Sequence, residues 1–413
     1  MSTVLVLNAG SSSIKFALFA AVASEHTQLC CGAVEGIGSA GQGRSWLSDA
    51  GGAKLHDEAA EIADAADGFA RIVRLLAAHP ELPQPDAIGH RMVSSSPEVT
   101  ENQRVTPEVI VRLERYVHFA PLHTPPALHI LRQTLIAYPS VPSFIALDSW
   151  FHRNLPPVAR TLPVPSHVAA LGVHRYGAHG LSYESIVDQL GARIPERVIV
   201  AHLGNGSSIT AIRNGRSVDT SMGLTPTGGL ISATRTGEID PGVLLFLMRE
   251  AARTAASAEE AIEAVERMVN RESGLLGVSG VSNDMRTLRR AIREGNEAAR
   301  LAVDMYTAAI RKFIGAYMAV LGGADLLVFT GGIGQHDAAT REEVCAGLEA
   351  LGIALDAGRN AAHDAERISA DGSAVTVRTM PPDEERMIVR HVLRLMDSGA
   401  QALGYTGKSG LRG

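Results

Sequence analysis

The chain opens on an uninterrupted apolar run, Val4-Leu5-Val6-Leu7, which reads as a buried strand. A polar turn, Asn8-Ala9-Gly10-Ser11-Ser12-Ser13, separates it from a second strand over Ile14 to Phe19. The same order returns mid-chain: Val198-Ile199-Val200-Ala201, then His202-Leu203-Gly204-Asn205-Gly206-Ser207-Ser208, then Ile209-Thr210-Ala211-Ile212. Asn214-Gly215 follows, the dipeptide favoured in tight hairpins. Two copies of strand, Gly/Ser turn and strand predict two related α/β domains rather than a solenoid.

Helical periodicity fills the intervals. Asp67 to His79 puts Phe69, Ile72, Val73 and Leu76 on one face, and Ser257-Ala258-Glu259-Glu260 has capping-box spacing before Ile262, Val265 and Val269. Leu301, Met305, Ala309, Phe313, Tyr317 and Leu321 recur every four residues up to Gly322-Gly323. The strand Leu326-Leu327-Val328-Phe329 then leads into Thr330-Gly331-Gly332-Ile333-Gly334. Helix, glycine stop, strand and glycine loop make one step of a sheet whose loops suit a nucleotide. Residues 36 to 58 are glycine-rich and weakly patterned, and predict an exposed hairpin or loop.

At 413 residues the chain exceeds one ordinary core. Lys+Arg of 38 against Asp+Glu of 44 gives a net charge of −6, which weighs against a nucleic-acid or polybasic membrane binder but not against a locally positive site. No stretch approaches the ~18 uncharged apolar residues of a membrane span. No basic leader precedes the first strand. Cys30, Cys31 and Cys345 make neither a disulfide framework nor a metal knuckle. These features predict a cytoplasmic protein.

Two glycine patterns carry no nucleotide signal. Gly36-Ile37-Gly38-Ser39-Ala40-Gly41 matches G-x-G-x-x-G, yet no helix opens after it; Gly407-Lys408-Ser409 resembles the end of a P-loop, but Ala402 stands where the upstream glycine belongs. Asn8, Ser11, Ser13 and Lys15 are better placed. Strand alternation puts Ser13 and Lys15 on one face, so the lysine can reach over the turn toward a phosphate. A second turn rich in backbone N–H groups makes a phosphate cradle with the first. His90, His123, His129 and His152 have no metal-ligand spacing and read as core or supporting residues. Asp219 and Asp240 read equally well as turn residues.

Asn8-Ala9-Gly10-Ser11-Ser12-Ser13-Ile14-Lys15 and His202 to Ser208 resemble segments of the acetate kinase family. So do Gly89-His90-Arg91, Ala120-Pro121-Leu122-His123, Ser221-Met222-Gly223-Leu224-Thr225-Pro226 and Gly277-Val278-Ser279-Gly280-Val281-Ser282-Asn283-Asp284. The matches run in order along nearly the whole chain. The resemblance implies two domains of the sugar-kinase, actin and heat-shock ATPase (ribonuclease H-like) type with a nucleotide cleft between them. The first would span 1–149 and be completed by 383–413; the second, 150–382, would carry most nucleotide contacts. It implies a homodimer and Mg-ATP-dependent phosphorylation of a short carboxylate, with manganese as a substitute ion.

Position by position, the resemblance assigns Asn8 and Glu384 to the magnesium site, with Glu385 as an alternative to Glu384, and Lys15 to the nucleotide phosphates. His202, Leu203, Gly204, Asn205 and Gly206 would form the second phosphate loop. Asp284, Met285 and Arg286, with Gly332, Ile333, Gly334, Gln335 and His336, would hold the nucleoside. Arg91 and Arg235 would grip the acceptor carboxylate and the moving phosphoryl group, His179 would stabilise the transition state, and Asp148 would be the acid/base residue. Val93, Leu122 and Pro226 would wall the acceptor pocket. Transfer between two anions does require cations aimed at a loose, in-line phosphoryl group. A carboxylate acceptor needs no deprotonation at pH 7, so Asp148 is expected to position Arg91 or a metal-bound water.

The pocket walls depart from the family pattern. Tyr176-Gly177-Ala178-His179-Gly180-Leu181-Ser182-Tyr183 replaces Tyr-Gly-Phe-His-Gly-Thr-Ser-His, which enlarges the acceptor pocket unless Trp150 refills it. Pro226-Thr227-Gly228-Gly229 replaces Pro-Leu-Glu-Gly, Ser94-Ser95-Ser96 replaces a His-Gly-Gly stretch, and His336 stands where asparagine is usual. Acetate is the expected acceptor, with propionate the alternative. A sugar or polyol kinase would give Asp148 a general-base role. An actin- or chaperone-like ATPase would couple the nucleotide to conformation alone.

Overall fold

The computed structural model describes residues 2–10, 12–22, 25–38, 43–93, 96–362 and 365–406, with side chains described to 398. Ser11, Ser39-Ala40-Gly41, Ser94-Ser95 and Gly407-Lys408-Ser409, singled out above, lie outside the described residues. The chain divides into two compact units, Met1–Trp150 with Asp383–Gly413, and Phe151–Pro382.

The first unit is built on an eight-stranded sheet. Its strands are β1 (Ser2–Ala9), β2 (Ser13–Val22), β3 (Glu25–Glu35), β4 (Arg44–Asp49), β5 (Lys54–Ala59), β6 (Ala87–Met92), β7 (Gln103–Arg104) and β8 (Ser143–Leu147), in the order β5-β4-β3-β2-β1-β6-β8-β7. β1 pairs antiparallel with β2 and parallel with β6, and β6 pairs parallel with β8. The second unit holds β9 (Arg197–Leu203), β10 (Ser207–Arg213), β11 (Arg216–Thr220), β12 (Leu326–Thr330) and β13 (Thr376–Thr379), in the order β11-β10-β9-β12-β13. β9 pairs antiparallel with β10 and parallel with β12. The run β3-β2-β1-β6-β8 and the whole second sheet thus share one order and one pattern of directions, the ribonuclease H-like arrangement. That is why both strand–turn–strand openings had the same pattern.

Both faces of β1 and β9 are covered, so their sequences are apolar without alternation: Val4 to Leu7 and Val198 to Ala201 are at most 1% exposed. Asn214 and Gly215 both have positive φ, 49° and 73°, and form the tight turn between β10 and β11. The glycine-rich stretch after residue 43 is the hairpin β4–β5.

Three helix expectations need adjustment. The first helix runs over Ala65–Ala77 behind an Asp64 cap and buries Leu75 rather than Leu76. Ser257 caps Ala258–Arg267 by accepting from Glu260 N at 3.1 Å, but Ala261 and Val265 face inward while Ile262 is 54% exposed. In Glu297–Leu321 the row Leu301, Met305, Ala309, Phe313, Tyr317, Leu321 winds from surface to core, from 55% exposure at Leu301 to 2% at Leu321. A step of four residues overshoots a 3.6-residue turn by ~40° each time, so such a row cannot remain on one face. The face that packs inward is Ala302, Val303, Tyr306, Ile310, Ile314 and Tyr317.

The C-terminal helix Glu384–Thr406 lies across β1, β6 and β8. Met387, Ile388, Val389 and Val392 anchor it, each at most 1% exposed and each contributing about 1.5–3 kcal/mol of burial. This anchoring sets Glu384 at the ends of the first unit's parallel strands.

Candidate active site

Three parallel strands of the first unit finish in polar side chains along one edge. Asn8 lies near the end of β1, Arg91 near the end of β6, and Asp148 immediately after β8. Ligand sites in open α/β sheets collect at such carboxyl ends. Arg91 donates from Nε and Nη2 to the two oxygens of Asp148 at 3.3 and 3.1 Å, a forked contact. Its Nη1 donates to Asn8 Oδ1 at 3.2 Å and stands 3.2 Å from Glu384 Oε2, while Asn8 Nδ2 donates to the same Glu384 oxygen at 3.2 Å.

Burial works against the Arg91 charge, but Asp148 and Glu384 outweigh it and raise the guanidinium above its ordinary pKa. Burial and the neighbouring Glu384 raise Glu385, with Lys15 and Asn8 pulling the other way. Lys15 is exposed and stands across the β1–β2 ladder from Asn8. Val93 and Leu122 are half-buried in the same unit, and Thr124 Oγ1 donates to Val93 O at 2.8 Å.

In the second unit, His179 is the residue that enters the helix Gly180–Leu190, with a left-handed φ of 56°. Buried His152 supports that bend, its Nε2 3.2 Å from Ala178 O and its Nδ1 2.8 Å from Ser217 Oγ. His179 Nδ1 lies 2.8 Å from Ser208 Oγ, which in turn lies 2.5 Å from the hydroxyl of fully buried Tyr183. The His202 ring stacks on His179 with centroids 4.2 Å apart, and its Nδ1 is 2.8 Å from Ser182 Oγ.

Arg235 is 9% exposed; burial pulls its pKa down to about 10, which still leaves it charged at neutral pH. Its Nη1 donates to the carbonyl of buried Pro226 at 3.3 Å. A Cβ added to Gly206 would lie 3.2 Å from His179 Nε2 and 3.3 Å from Arg235 Nη1. Glycine therefore keeps open a concave spot on which an imidazole edge and a guanidinium converge.

The remaining expected residues line two further segments of this unit. Asp284 caps the helix Met285–Arg293, accepting from Thr287 N at 3.1 Å, and pairs with exposed Arg286 at 2.7 Å. Met285 and Leu203 are core residues, 5% and 0% exposed, so at those positions only the backbone is available to a ligand. Their apolar side chains serve packing. Gly332 to His336 form a short helix, Gly331–His336, at the end of β12, with Gly332 and His336 exposed. Gly331 has φ +77° and passes so close to β9 that a Cβ would sit 2.6 Å from Leu203 O. Buried Arg341 ties this helix down, donating from Nη1 to Gly334 O at 3.0 Å and Gln335 O at 2.8 Å, and from Nε to Asn360 Oδ1 at 2.8 Å.

The first unit thus gathers Asn8, Arg91, Asp148 and Glu384; the second gathers His179, His202, Gly206, Arg235 and Pro226. Sequence reading passed over Ser208, Tyr183, Arg341 and Asn360, whose roles appear only as contacts. Two of them had a signal: Ser208 ends the His202–Ser208 motif, and Tyr183 ends the altered Tyr176–Tyr183 string. Trp150 packs against the Met92, Val99 and Leu147 cluster of the first unit.

The model of the acetokinase family matches residues 3–390. The chain belongs to that family. It is an enzyme, a kinase. It is 40% identical to an acetate kinase of Leifsonia xyli subsp. xyli over 412 residues, spanning 97% of this chain and 100% of that protein. The crystal structure of Porphyromonas gingivalis acetate kinase matches with TM-score 0.79 and 36% identity, over 96% of this chain and 100% of that one. A propionate kinase structure from Francisella tularensis subsp. tularensis SCHU S4 matches with TM-score 0.84 and 31% identity, over 95% and 99%.

Proposed function

We propose that the chain transfers the γ-phosphoryl group of ATP to acetate, forming acetyl phosphate and ADP reversibly. The observation that carries this reading is a pair of arginines on an acetokinase scaffold: Arg91, forked onto Asp148, and Arg235, converging with His179 on Gly206. Bringing two anions together needs fixed positive charge, and arginine supplies it in a planar, bidentate form. Arg91 orients the acceptor carboxylate beside Val93 and Leu122. Asp148 holds Arg91 in place; no proton has to leave the acceptor, so a base is not required.

A carboxylate oxygen attacks the γ-phosphorus while the bond to the β–γ bridging oxygen breaks, its electrons leaving with ADP. Arg235 and His179 donate to the oxygens of the phosphoryl group in flight. Lys15 and the backbone of His202 to Gly206 hold the phosphates. The second unit carries most nucleotide contacts, through Asp284 to Arg286 and Gly332 to His336.

Among the described residues no group of three or more His, Cys, Asp or Glu side chains is arranged to hold a metal. Magnesium keeps waters and phosphate oxygens and takes only one or two protein donors. Glu384 and Asn8 would hold it, beside Glu385, whose pKa is raised by burial first and by Glu384 second. Bound magnesium, or manganese in its place, would supply charge neutralisation across the β- and γ-phosphates.

Propionate is the alternative acceptor, favoured by small, buried Ala178 and by Trp150 packing into the first unit's own core. One methylene in an apolar pocket is worth only about 1–3 kcal/mol. We further propose a homodimer through the helix Pro241–Ala251, which has no buried residue and exposes Val243, Leu245 and Phe246. An uncharged apolar face is self-complementary, as an isologous two-fold contact requires. Among the described residues no helix is long and apolar enough to cross a membrane. Free thiols at Cys30, Cys31 and Cys345 fit the reducing cytoplasm.

The test is acyl phosphate formation with Mg-ATP, trapped as hydroxamate, over formate to butyrate with glycerol alongside. A kcat/KM maximum at acetate supports the main reading, and a maximum at propionate supports the alternative. ATP consumption without acyl phosphate overturns both.

A further inference from the structure

Between the helix Ala258–Arg267 and the segment Gly274–Ser279 the chain forms a π-helical turn over Met268–Glu272. Asn270 is its buried residue, at 7% exposure. In such a turn the backbone N–H reaches five residues back rather than four. The Asn270 side chain fastens to the preceding helix, Nδ2 donating to Glu266 O at 2.9 Å. The widened turn also turns carbonyls outward to a neighbouring loop. Asn270 O accepts from Thr234 Oγ1 at 2.8 Å, and Val269 O accepts from Thr236 N at 3.1 Å. These two contacts flank Arg235.

The remaining polar atom of Asn270, Oδ1, accepts from Thr227 Oγ1. Thr227 directly follows Pro226, whose carbonyl accepts from Arg235 Nη1. A single buried residue therefore binds both loops, the one bearing Arg235 through its backbone carbonyl and the one bearing Pro226 through its side-chain oxygen. Three of its contacts are fixed by buried or half-buried partners, and a buried polar group with its partners removed costs about 1–3 kcal/mol, so the arrangement resists drift. Thr227 is also one of the positions at which this sequence departs from the family pattern, where leucine cannot make the contact.

We infer that Asn270 is a positioning residue, and that its hydrogen bond with Thr227 sets the acceptor-pocket wall at Pro226 in register with Arg235. Neither residue touches the reacting atoms. The pair acts by keeping the wall and the guanidinium at one separation, so that a carboxylate seated against Pro226 meets the phosphoryl group held by Arg235. This rests on the acyl-kinase reading for the identity of the acceptor, but the tie itself does not.

Thr227→Val keeps the side-chain volume and removes the donor, and Thr227→Ser restores the donor with less volume. In the full-length enzyme, Thr227→Val is expected to raise the carboxylate KM about tenfold and to flatten the preference among acetate, propionate and butyrate, because small misplacements at a reacting centre are costly. The ATP KM should stay within about twofold, and Thr227→Ser should return most of the carboxylate KM. Amide hydrogen exchange over residues 225–237 should quicken in Thr227→Val and not in Thr227→Ser. An unchanged carboxylate KM, or equal rises in both KM values, overturns the inference. Should the wild-type enzyme make no acyl phosphate, the functional reading fails, and the exchange experiment decides the tie by itself: unchanged exchange in Thr227→Val overturns it.

Discussion

Arg91 shows how a residue named by its motif acquires its function from its neighbours. A guanidinium held by Asp148, Asn8 and Glu384 loses most of its rotational freedom before any ligand arrives, and that pre-orientation is the useful property. Asp148→Asn replaces one acceptor oxygen by a donor and breaks the fork. Its kcat/KM for the carboxylate should fall about 100-fold while the ATP KM stays near wild type, because the error is in placing the acceptor; hydroxamate kinetics measure this. An Asp148→Asn enzyme with normal activity would remove the positioning role. The resemblance was enough to name Arg91, Asp148 and Glu384, and to expect Asp148 to position Arg91 or a metal-bound water, but not to pair Glu384 with Arg91. The fork depends on the pairing of β6 with β8, and the burial of Glu385 beside Glu384 on a chain reversal that brings residue 384 back to the first sheet.

Glu385 gives a pH test at the same scale. Burial and Glu384 raise its pKa, so the folded chain keeps a proton that the unfolded chain has lost. Stability contributed by that proton is present below ~pH 4.3 and falls as pH rises through the folded value. Glu385→Gln removes the loss. Without nucleotide or divalent ion, its Tm should exceed that of wild type at about pH 8, and the difference should shrink toward about pH 4. Calorimetry at both pH values decides it, and equal differences at the two would exclude Glu385 as the titrating group.

Among elements, the strands were easier to read than the helices. β1 and β9 lie inside their sheets, so burial on both faces leaves a continuous apolar signature with one interpretation. The long helix Glu297–Leu321 is flanked by core and solvent, and its four-residue apolar row crosses from one to the other. The glycine segment after β12 read as a loop, yet it forms the helix Gly331–His336 because Gly331 turns with positive φ against the end of β9. Gly331→Ala adds left-handed strain of about 1–2 kcal/mol to a contact with Leu203 O that no backbone shift relieves cheaply. The expected result is a Tm lower by several degrees and a raised ATP KM with little change in the carboxylate KM. Thermal melts and initial rates check both.

For the whole molecule, two sheets with a shared strand order each present one cluster of charged and polar groups. Neither cluster has both Arg91 and His179, the residues proposed to grip the carboxylate and to face the phosphoryl group. The proposed subunit contact belongs to this scale as well. Phe246→Glu on the helix Pro241–Ala251 puts two like charges near a two-fold axis, where the desolvation of each opposes association. Sedimentation velocity should show the wild type as a dimer and Phe246→Glu as a monomer; a dimeric variant would mean the contact lies elsewhere.

Local order along the chain determined much by itself. Apolar runs, Gly/Ser turns and hairpin residues specify the strand–turn–strand openings, because those preferences act within a few residues and do not need the rest of the fold. The family was legible for the same reason: its motifs are short and contiguous. Tertiary structure alone decided what each polar group answers to. Ser208 and Tyr183 reach His179, Arg341 and Asn360 fasten the helix after β12, and Asn270 bridges two loops, across separations that no local pattern encodes. Hydrogen bonds are satisfied in space, among groups that burial has deprived of water, and their partners are fixed only when the core closes.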